Sequence, residues 1–252
     1  MTMGPAVAMA LFLLVGSSIG LLGSGGSVLT VPILIYAAGL GVNEAIAASL
    51  LIVGCASAIS AFRAHRQEQV NGRLVTLFVL PGTLMSFVGA RLTPLVDERL
   101  LLTLFGGAMV AIGAVLAVKT GRPGPEGPVV CRPGAALSAS IGALLGFLTG
   151  LLGVGGGFLI VPAIALLMKC SLRTAIGTSS AIIAINSLAG YAGHAVSFAG
   201  HRPWIAAYLG ATLAGVWITH RRAGAPDATT LQRALAALIV TVGAFLALKN
   251  AL

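Results

Sequence analysis

The most restrictive feature of this sequence is a succession of apolar segments with no acidic residue away from their ends. They span 5–22, 27–41, 43–62, 74–92, 99–118, 134–152, 157–168, 174–198, 204–219 and 231–248. Charged residues make up 8% of the chain, against about 25% in soluble domains. Because lipid offers the backbone no hydrogen-bond partner, such segments must be helical. The sequence predicts an all-α integral membrane protein without a soluble domain.

A glycine-rich phrase occurs twice, as GLLGSGGSVLTVP (20–32) and GLLGVGGGFLIVP (150–162), so that Gly20 corresponds to Gly150. We term the shift in numbering from Gly20 to Gly150 the repeat offset. It also aligns AIAASLLIVGCAS (45–57) with AIGTSSAIIAINS (175–187), and VAIGAVLAVK (110–119) with VTVGAFLALK (240–249). A constant offset over this distance indicates an internal duplication. It predicts an N-terminal membrane repeat (1–119), a proline- and glycine-rich linker (120–133) and a C-terminal membrane repeat (134–252), which together form one functional domain.

The number of crossings in each repeat decides how the two repeats are related. The segments 27–41 and 157–168 are short for a span of about 20 residues, so each either crosses or returns with its predecessor as a re-entrant hairpin. Both options give an odd number of crossings, and hence an inverted repeat of two five-segment halves. Basic residues then divide 11 to 4 between the two sides, against 8 to 7 for four crossings per half. That bias favours the inverted repeat, with the N-terminus outside the cell.

The repeated glycines predict breaks in two membrane helices. A proline follows six residues after Gly26 and again after Gly156, so a short helix restarts after each break. The first amides of such a helix have no partner within it and lie at the positive end of its dipole, which suits an anion. The first candidate binding residues are Gly23, Ser24, Gly25, Gly26, Gly153, Gly155, Gly156 and Gly157. Close helix packing is the alternative role of small residues in membranes.

Polar side chains within the apolar segments supply further candidates. Ser179 and Asn186 are seven residues apart and share one helix face, where they could donate hydrogen bonds to an anion. The other candidates nearby are Ser49, Thr178 and Ser180, and His194 is a candidate for proton coupling. Hydrogen bonds to the helix backbone are the alternative for these hydroxyls. The first copy has AASL where the second has GTSS, so a less polar first half is expected.

Several classes of function are excluded by what the apolar segments lack. All six acidic residues lie in loops or at segment ends, which argues against a carrier of metal ions or sodium and agrees with an anionic substrate. Cys55, Cys131 and Cys170 show no paired spacing, so neither a disulfide nor a metal site is expected. No cofactor is expected, and no carboxylate lies at depth to orient a histidine for catalysis, so an enzyme is not predicted. The net charge of +9 is scattered over short loops and does not indicate nucleic-acid binding.

The phrase GLLGVGGGFLIVPAIALL followed by AIGTSSAIIAINSLAGYAGH resembles the TauE/SafE sulfite exporter family of membrane permeases. Both repeats match the family's pattern, and the second copy is the closer; the first has Ser27 where the second has Gly157. The resemblance implies transport of small sulfur-containing anions such as sulfite, sulfoacetate or related organosulfonates.

The expected protein is a multi-pass permease of a bacterial inner membrane, whose partners are a small anion and the lipid bilayer. The first apolar segment lacks a basic flank and is expected to be retained rather than cleaved as a signal peptide. Export by alternating access around a site at the membrane midplane is the expected mechanism. An anion channel and a carrier of a different small organic anion are the alternatives. Nothing in the sequence indicates a homo-oligomer.

Overall fold

The structure is a computed structural model. It describes residues 5–22, 25–104, 106–107, 134–153, 160–161, 163–164, 170–194 and 202–221. Within these ranges the regular structure is helical and contains no β-strand, as the apolar segments predicted. The predicted linker (120–133), the last apolar segment (231–248), and most of 99–118 and 157–168 lie outside the described residues.

The helices follow the predicted segments closely. They are α1 (Pro5–Leu22), α2 (Gly26–Ala37), α3 (Val42–Arg66), α4 (Gly72–Leu92), α5 (98–104), α6 (Ala135–Leu152), α7 (Leu172–Gly193) and α8 (Arg202–Arg221). Within the described ranges, four helical stretches are long and apolar enough to cross a membrane: Val42–Arg66, Gly72–Leu95, Ala135–Leu152 and Arg173–Gly193. The prediction of several membrane-spanning helices is therefore confirmed.

Helix α2 is short and irregular. It begins with 3-10 turns over Gly25–Leu29 and ends with π-helical turns over Ile33–Ala37, on either side of one α-helical turn at Thr30–Pro32. Pro32 supplies no backbone N–H, so a regular α-helical ladder cannot continue through it. At about 1.5 Å per residue, α2 covers only part of a hydrocarbon core about 30 Å thick.

Two parallel helix pairs join the first repeat to the second. In α4 and α6, the contacts pair Phe78 with Gly142 and Gly82 with Gly146, so both helices run in one direction. In α1 and α8, Phe12 stacks on Tyr208 with ring centroids 4.8 Å apart, and Gly16 lies against Thr212. The repeat offset relates the Phe12–Tyr208 contact to the Phe78–Gly142 contact, and the Gly16–Thr212 contact to the Gly82–Gly146 contact. Both junctions between the repeats therefore use corresponding positions.

Helices α3 and α7 are equivalent in the two repeats and run antiparallel. Along α3, Leu50 lies near Gly190, Gly54 lies against Leu188, and Ala64 lies near Gly177, so the paired numbers rise on one helix and fall on the other. Helix α4 runs parallel to α7, because Gly82 contacts Asn186 and Ala90 lies near Gly193. The α3–α7 pair therefore occupies the centre of the described bundle.

The two ends of the bundle are defined by these directions. At the lower end, α3 and α8 finish and α4 and α7 begin; Arg63 of α3 donates a hydrogen bond to the His220 carbonyl of α8 at 3.3 Å. Also at this end, the Asn71 N–H donates to the Thr178 hydroxyl at 3.0 Å. At the upper end, α3 begins and α4, α6 and α7 finish. Helix α1 runs parallel to α8, which finishes at the lower end, so α1 starts at the upper end.

The expectation that the cysteines form no disulfide was wrong. Cys170, just before α7, is buried and disulfide-bonded, with its partner outside the described residues, while Cys55 is a free thiol. Spacing along the sequence does not report which loops the fold brings together.

We expect Gly146 to tolerate no side chain, because a Cβ there would overlap the Gly82 carbonyl of the facing helix. Gly146→Ala should lower the free energy of unfolding by about 1–3 kcal/mol, the usual cost of overpacking. Thermal unfolding of the detergent-solubilised protein measures this change.

Gly210→Ala is the matched control, since a Cβ at this exposed position of α8 meets no atom within 4 Å. It should leave stability unchanged or raise it by up to about 1 kcal/mol, the helix-propensity gain. Equal thermal midpoints for the two variants would contradict the close contact.

Candidate functional site

The beginning of α2 lies beside the middle of α1. A Cβ added at Gly26 would be 2.7 Å from the Val15 carbonyl oxygen and 2.7 Å from the Ser18 Cβ. Further along α2, Leu34 and Ala37 belong to the same buried cluster as Phe12. Helix α2 therefore runs antiparallel to α1, from the interior of the bundle to its upper end. Its first amides are at the depth of Ser18, well away from both ends.

The end of α6 is the second break, and glycine is required there for two reasons. Gly153 caps α6 in the left-handed conformation with φ 70°. A Cβ at this residue would also lie 2.8 Å from the Ile46 Cα of α3. Only glycine combines this φ with such a close backbone approach at low cost.

One carbonyl group at this break has a donor from the other repeat: the Ser49 hydroxyl donates to the Gly153 carbonyl at 2.7 Å. The Thr93 hydroxyl lies 3.1 Å from the Gly89 carbonyl one turn earlier, and 3.2 Å and 3.4 Å from the carbonyls of Leu151 and Gly150, so its single hydrogen is shared among the three. Unpaired backbone groups are costly in a bilayer, and these contacts help α6 to end while buried near the upper end. Ser49 was predicted as a substrate ligand, and in the structure its hydroxyl supports the break.

Asn186 is the predicted residue whose geometry best suits ligand binding. Its side chain is 1% exposed, and its Oδ1 accepts a hydrogen bond from the Thr83 hydroxyl at 3.1 Å. Its backbone carbonyl accepts from the Ser86 hydroxyl at 2.8 Å. The Nδ2 amide, in contrast, has no hydrogen-bond partner among the described residues. A buried N–H donor of this kind is available to an acceptor that enters the bundle.

Other predicted hydroxyls are engaged within the protein. Thr178 accepts from the Asn71 N–H, which joins α7 to the start of α4. Ser179 and Ser180 each donate to the Ile176 carbonyl at 2.9 Å, within their own helix. These hydroxyls could bind a substrate only if they gave up their present hydrogen bonds, so the assignment of Thr178, Ser179 and Ser180 to the binding site stays a prediction.

The structure describes only some of the residues predicted in the two glycine-rich phrases. Gly25 is the first residue of the 3-10 turns with which α2 begins. Gly23, Ser24, Gly155, Gly156 and Gly157 lie outside the described residues.

Sequence reasoning assigned no ligand role to four hydroxyls that are buried and have no hydrogen-bond partner in the described part of the chain. They belong to Ser18, Thr30, Ser57 and Ser187. Ser57 and Ser187 are equivalents at the repeat offset, a signal that was available in the sequence. Thr30 lies in the first turns of α2 by its place in the sequence, and only the fold brings Ser18 of α1 close to the start of α2. The first repeat therefore contributes more polar atoms than its AASL sequence suggested.

His194 caps the upper end of α7. Its Nδ1 lies 3.0 Å from the Gly190 carbonyl oxygen, and its Nε2 has no partner among the residues described. Burial lowers the pKa of the His194 imidazole, although the bond to Gly190 opposes that shift. The neutral form is therefore favoured. Among the described residues, no group of three or more His, Cys, Asp or Glu could hold a metal ion.

A helical membrane bundle with a half-length helix that begins in its interior, and with unpartnered donors at that depth, is the architecture of a membrane transporter. Comparison with known proteins agrees: residues 8–246 match the family described as Sulfite exporter TauE/SafE, so the chain belongs to that family. The resemblance found in the repeated motifs is thereby confirmed.

The chain is also similar to proteins named as probable membrane transporter proteins. One from Xylella fastidiosa (strain Temecula1) is 36% identical over 177 residues, which cover 69% of this chain and 67% of the relative. Bacillus subtilis YunE is 28% identical over 236 residues, 84% of each chain. A relative from Methanocaldococcus jannaschii is 28% identical over 197 residues, 71% of this chain and 70% of its own. No solved structure matches the chain.

Ser49→Ala should destabilise the protein by about 1 kcal/mol, because it leaves the Gly153 carbonyl without its donor. Ser60→Ala is the control on the same helix, since the Ser60 hydroxyl bonds only to Ala56 one turn earlier. Thermal unfolding in detergent compares the two variants. A larger loss for Ser60→Ala than for Ser49→Ala would contradict the role given to Ser49.

Proposed function

We propose that the chain is built from two inverted repeats and carries a small sulfur-containing anion across the membrane. The antiparallel contact between α3 and α7, which are equivalents at the repeat offset, supports the inversion. So does the direction of the other equivalents: α1 and α8 run with α3, whereas α6 and α4 run with α7. In this proposal α1 and α2 form a re-entrant pair that leaves an odd number of crossings in each half.

The charges at the two ends support an orientation. Among the described residues, the lower end carries Glu68 and five arginines, namely Arg63, Arg66, Arg73, Arg173 and Arg221. In the same part of the chain, the upper end balances three arginines with three carboxylates, namely Arg91, Arg99, Arg202, Glu44, Asp97 and Glu98. Since basic residues gather on the cytoplasmic side, the lower end is cytoplasmic and the N-terminus is outside. We propose the inner membrane of a bacterium as the location.

The proposed site is the space around the start of α2 and the Asn186 amide. The single observation that carries it is that α2 begins beside Val15 and Ser18, in the interior of the bundle. There the positive end of the helix dipole and free amides can stabilise a negative charge without a charged side chain. By symmetry, the second glycine phrase would bring a corresponding helix start from the other repeat. Alternating access would expose this site to each side in turn, with export as the proposed direction.

A channel for the same anions uses the same dipoles and is the second candidate. The hydroxyl bonds of Ser49 and Thr93 at the end of α6 favour a carrier, because they fix a closed connection between the repeats that transport would have to loosen. Saturable flux with countertransport in proteoliposomes would distinguish a carrier from a channel.

The orientation can be tested with reporters. A periplasm-dependent reporter fused before α1 should be active. An epitope inserted in the loop between α3 and α4 should be labelled by its antibody only after the membrane is permeabilised. The reason is the excess of arginines beside that loop. A cytoplasmic N-terminus would contradict both the orientation and the assignment of the ends.

The site can be tested by binding and flux together. Sulfite or methanesulfonate should increase the free energy of unfolding of the solubilised protein by about 2.7 kcal/mol at a hundred times the dissociation constant, and so raise its thermal midpoint. Asn186→Leu removes the unpartnered donor and should lower anion flux in proteoliposomes by about tenfold, while Ser60→Ala should leave it unchanged. Normal flux in a folded Asn186→Leu protein would remove Asn186 from the site.

A further inference from the structure

Five buried polar atoms without a hydrogen-bond partner lie on helices that meet in the interior. In the described part of the chain these are the hydroxyls of Ser18, Thr30, Ser57 and Ser187 and the Nδ2 amide of Asn186. All five residues are at most 6% exposed. Buried polar atoms normally have partners, so such a set on α1, α2, α3 and α7 indicates a site for a polar ligand.

The contacts between helices place Ser57 and Ser187 within about one turn of each other in depth. Gly54 lies against Leu188 and Ala64 lies near Gly177, so Ser57, one turn beyond Gly54, is about one turn below Ser187 in the α3–α7 pair. We term the depth of Ser57 the mid-level; it is about two turns from the lower end of α3. The face of α3 that carries Ser57 is the face that contacts α7, because Leu50, seven residues earlier, lies near Gly190.

Ser18 and Thr30 join the same level from the other side. Gly16 and Gly20 contact Thr212 and Val216 of α8, so Ser18 lies about two turns above His220, the residue that binds Arg63. Ser57 precedes Arg63 by a similar distance. The Ser18 hydroxyl is 3.3 Å from the position of a Cβ at Gly26, and is thus beside the first residue of α2. Thr30 follows Gly26 by one turn.

These donors are all neutral. Among the described residues, the charged side chains of α3 and α7 lie toward the helix ends, at Glu44, Arg63, Arg66 and Arg173. The titratable side chains that these helices and their neighbours carry closer to the mid-level are Cys55, Tyr36, Tyr191 and Tyr208, and the histidines are at helix ends. From the described residues, an anion at the mid-level therefore meets hydroxyl, amide and backbone donors but no arginine or lysine.

The charge of the ligand is decisive in such a site. The desolvation cost of an ion rises with the square of its charge, so a dianion costs about four times as much to bury as a monoanion. A full opposite charge is what normally offsets the burial of a charge, and neutral donors offset much less. Hydroxyls can also accept a hydrogen bond, so Ser57 and Ser187 can bind a protonated oxygen as well as an ionised one.

We infer that this site selects singly charged oxyanions, with Ser57 and Ser187 as paired donors and Ser18, Thr30 and Asn186 completing the polar lining. The inference rests on the proposed function, and it narrows the substrate to hydrogen sulfite and monoanionic sulfonates. Sulfite dianion, sulfate and sulfoacetate, which carry two charges, are excluded by it.

A pH series with three anions tests the charge selection on the unmodified protein. Calorimetric titration of the solubilised chain from about pH 6 to about pH 8.5 uses methanesulfonate, sulfite and sulfate. Methanesulfonate keeps one charge throughout, so its affinity should stay constant and controls for titration of the protein. Apparent affinity for sulfite should fall about tenfold per pH unit above its second ionisation, which lies near neutrality. Sulfate should not bind.

Each outcome has one meaning. Binding of methanesulfonate together with sulfite affinity that is flat or rises with pH, or with sulfate binding of similar strength, overturns the charge selection and leaves the proposed function standing. Failure of all three anions to bind, and of the protein to carry them in proteoliposomes, would instead count against the proposed function.

Variants test the residues separately. Ser57→Ala and Ser187→Ala should each weaken methanesulfonate binding by about five- to tenfold, the effect of one lost hydrogen bond. Ser60→Ala, one turn along α3 and bonded to its own helix, should leave binding unchanged. Unchanged affinity in folded Ser57→Ala and Ser187→Ala proteins would remove the serine pair from the site, and a loss in Ser60→Ala of the same size would do so as well.

Discussion

The close backbone contact between helices of different repeats is the interaction on which the described structure depends. Gly142, Gly146 and Gly150 let α6 approach the backbone of α4, and Gly16 and Gly20 let α1 approach that of α8. Lipid and leucine are equally apolar, so helix association in a membrane relies on such packing rather than on hydrophobic burial. At each junction, the helix of the first apolar segment in one repeat (α1 or α6) packs on the helix of the fourth apolar segment in the other (α8 or α4). Neither repeat could therefore form this bundle alone.

This interlocking explains how a helix can be interrupted inside the protein. The Gly153 carbonyl at the end of α6 has its donor in Ser49 of the other repeat, and the Thr93 hydroxyl, shared with the Gly89 carbonyl, lies 3.2 Å from the Leu151 carbonyl. Helix α2 begins beside Ser18 of α1, and its first amides lie in the interior of the bundle. An uncapped helix end is tolerated in a membrane protein where it is buried or lines a cavity. The same feature that makes the break possible leaves donors at a depth where an anion could be bound.

Asn186 and the serine pair show how packing separates structural from available polar groups. The hydroxyls of Ser179 and Ser180, which the sequence made candidates, donate to the Ile176 carbonyl, whereas that of Ser187, which was assigned no role, has no partner among the described residues. The Asn186 side chain is held by Thr83 through its oxygen, which leaves its nitrogen without a partner among the described residues. One amide thus has both a fixed orientation and a free donor, as a ligand-binding group requires.

The sequence alone determined the helical membrane class and the family, because apolar length and the repeated motifs are properties of the chain itself. The constant offset and the glycine clusters likewise predicted a duplication with two helix breaks, and the lack of acidic residues at depth predicted an anionic cargo. Only the tertiary structure decided that α3 and α7 face each other, that Gly153 is supported by Ser49, and that Ser18 lies at the start of α2. The physical reason is that a hydroxyl's availability depends on which carbonyl or amide another helix places within about 3 Å of it, and that distance is set by helix packing rather than by local sequence.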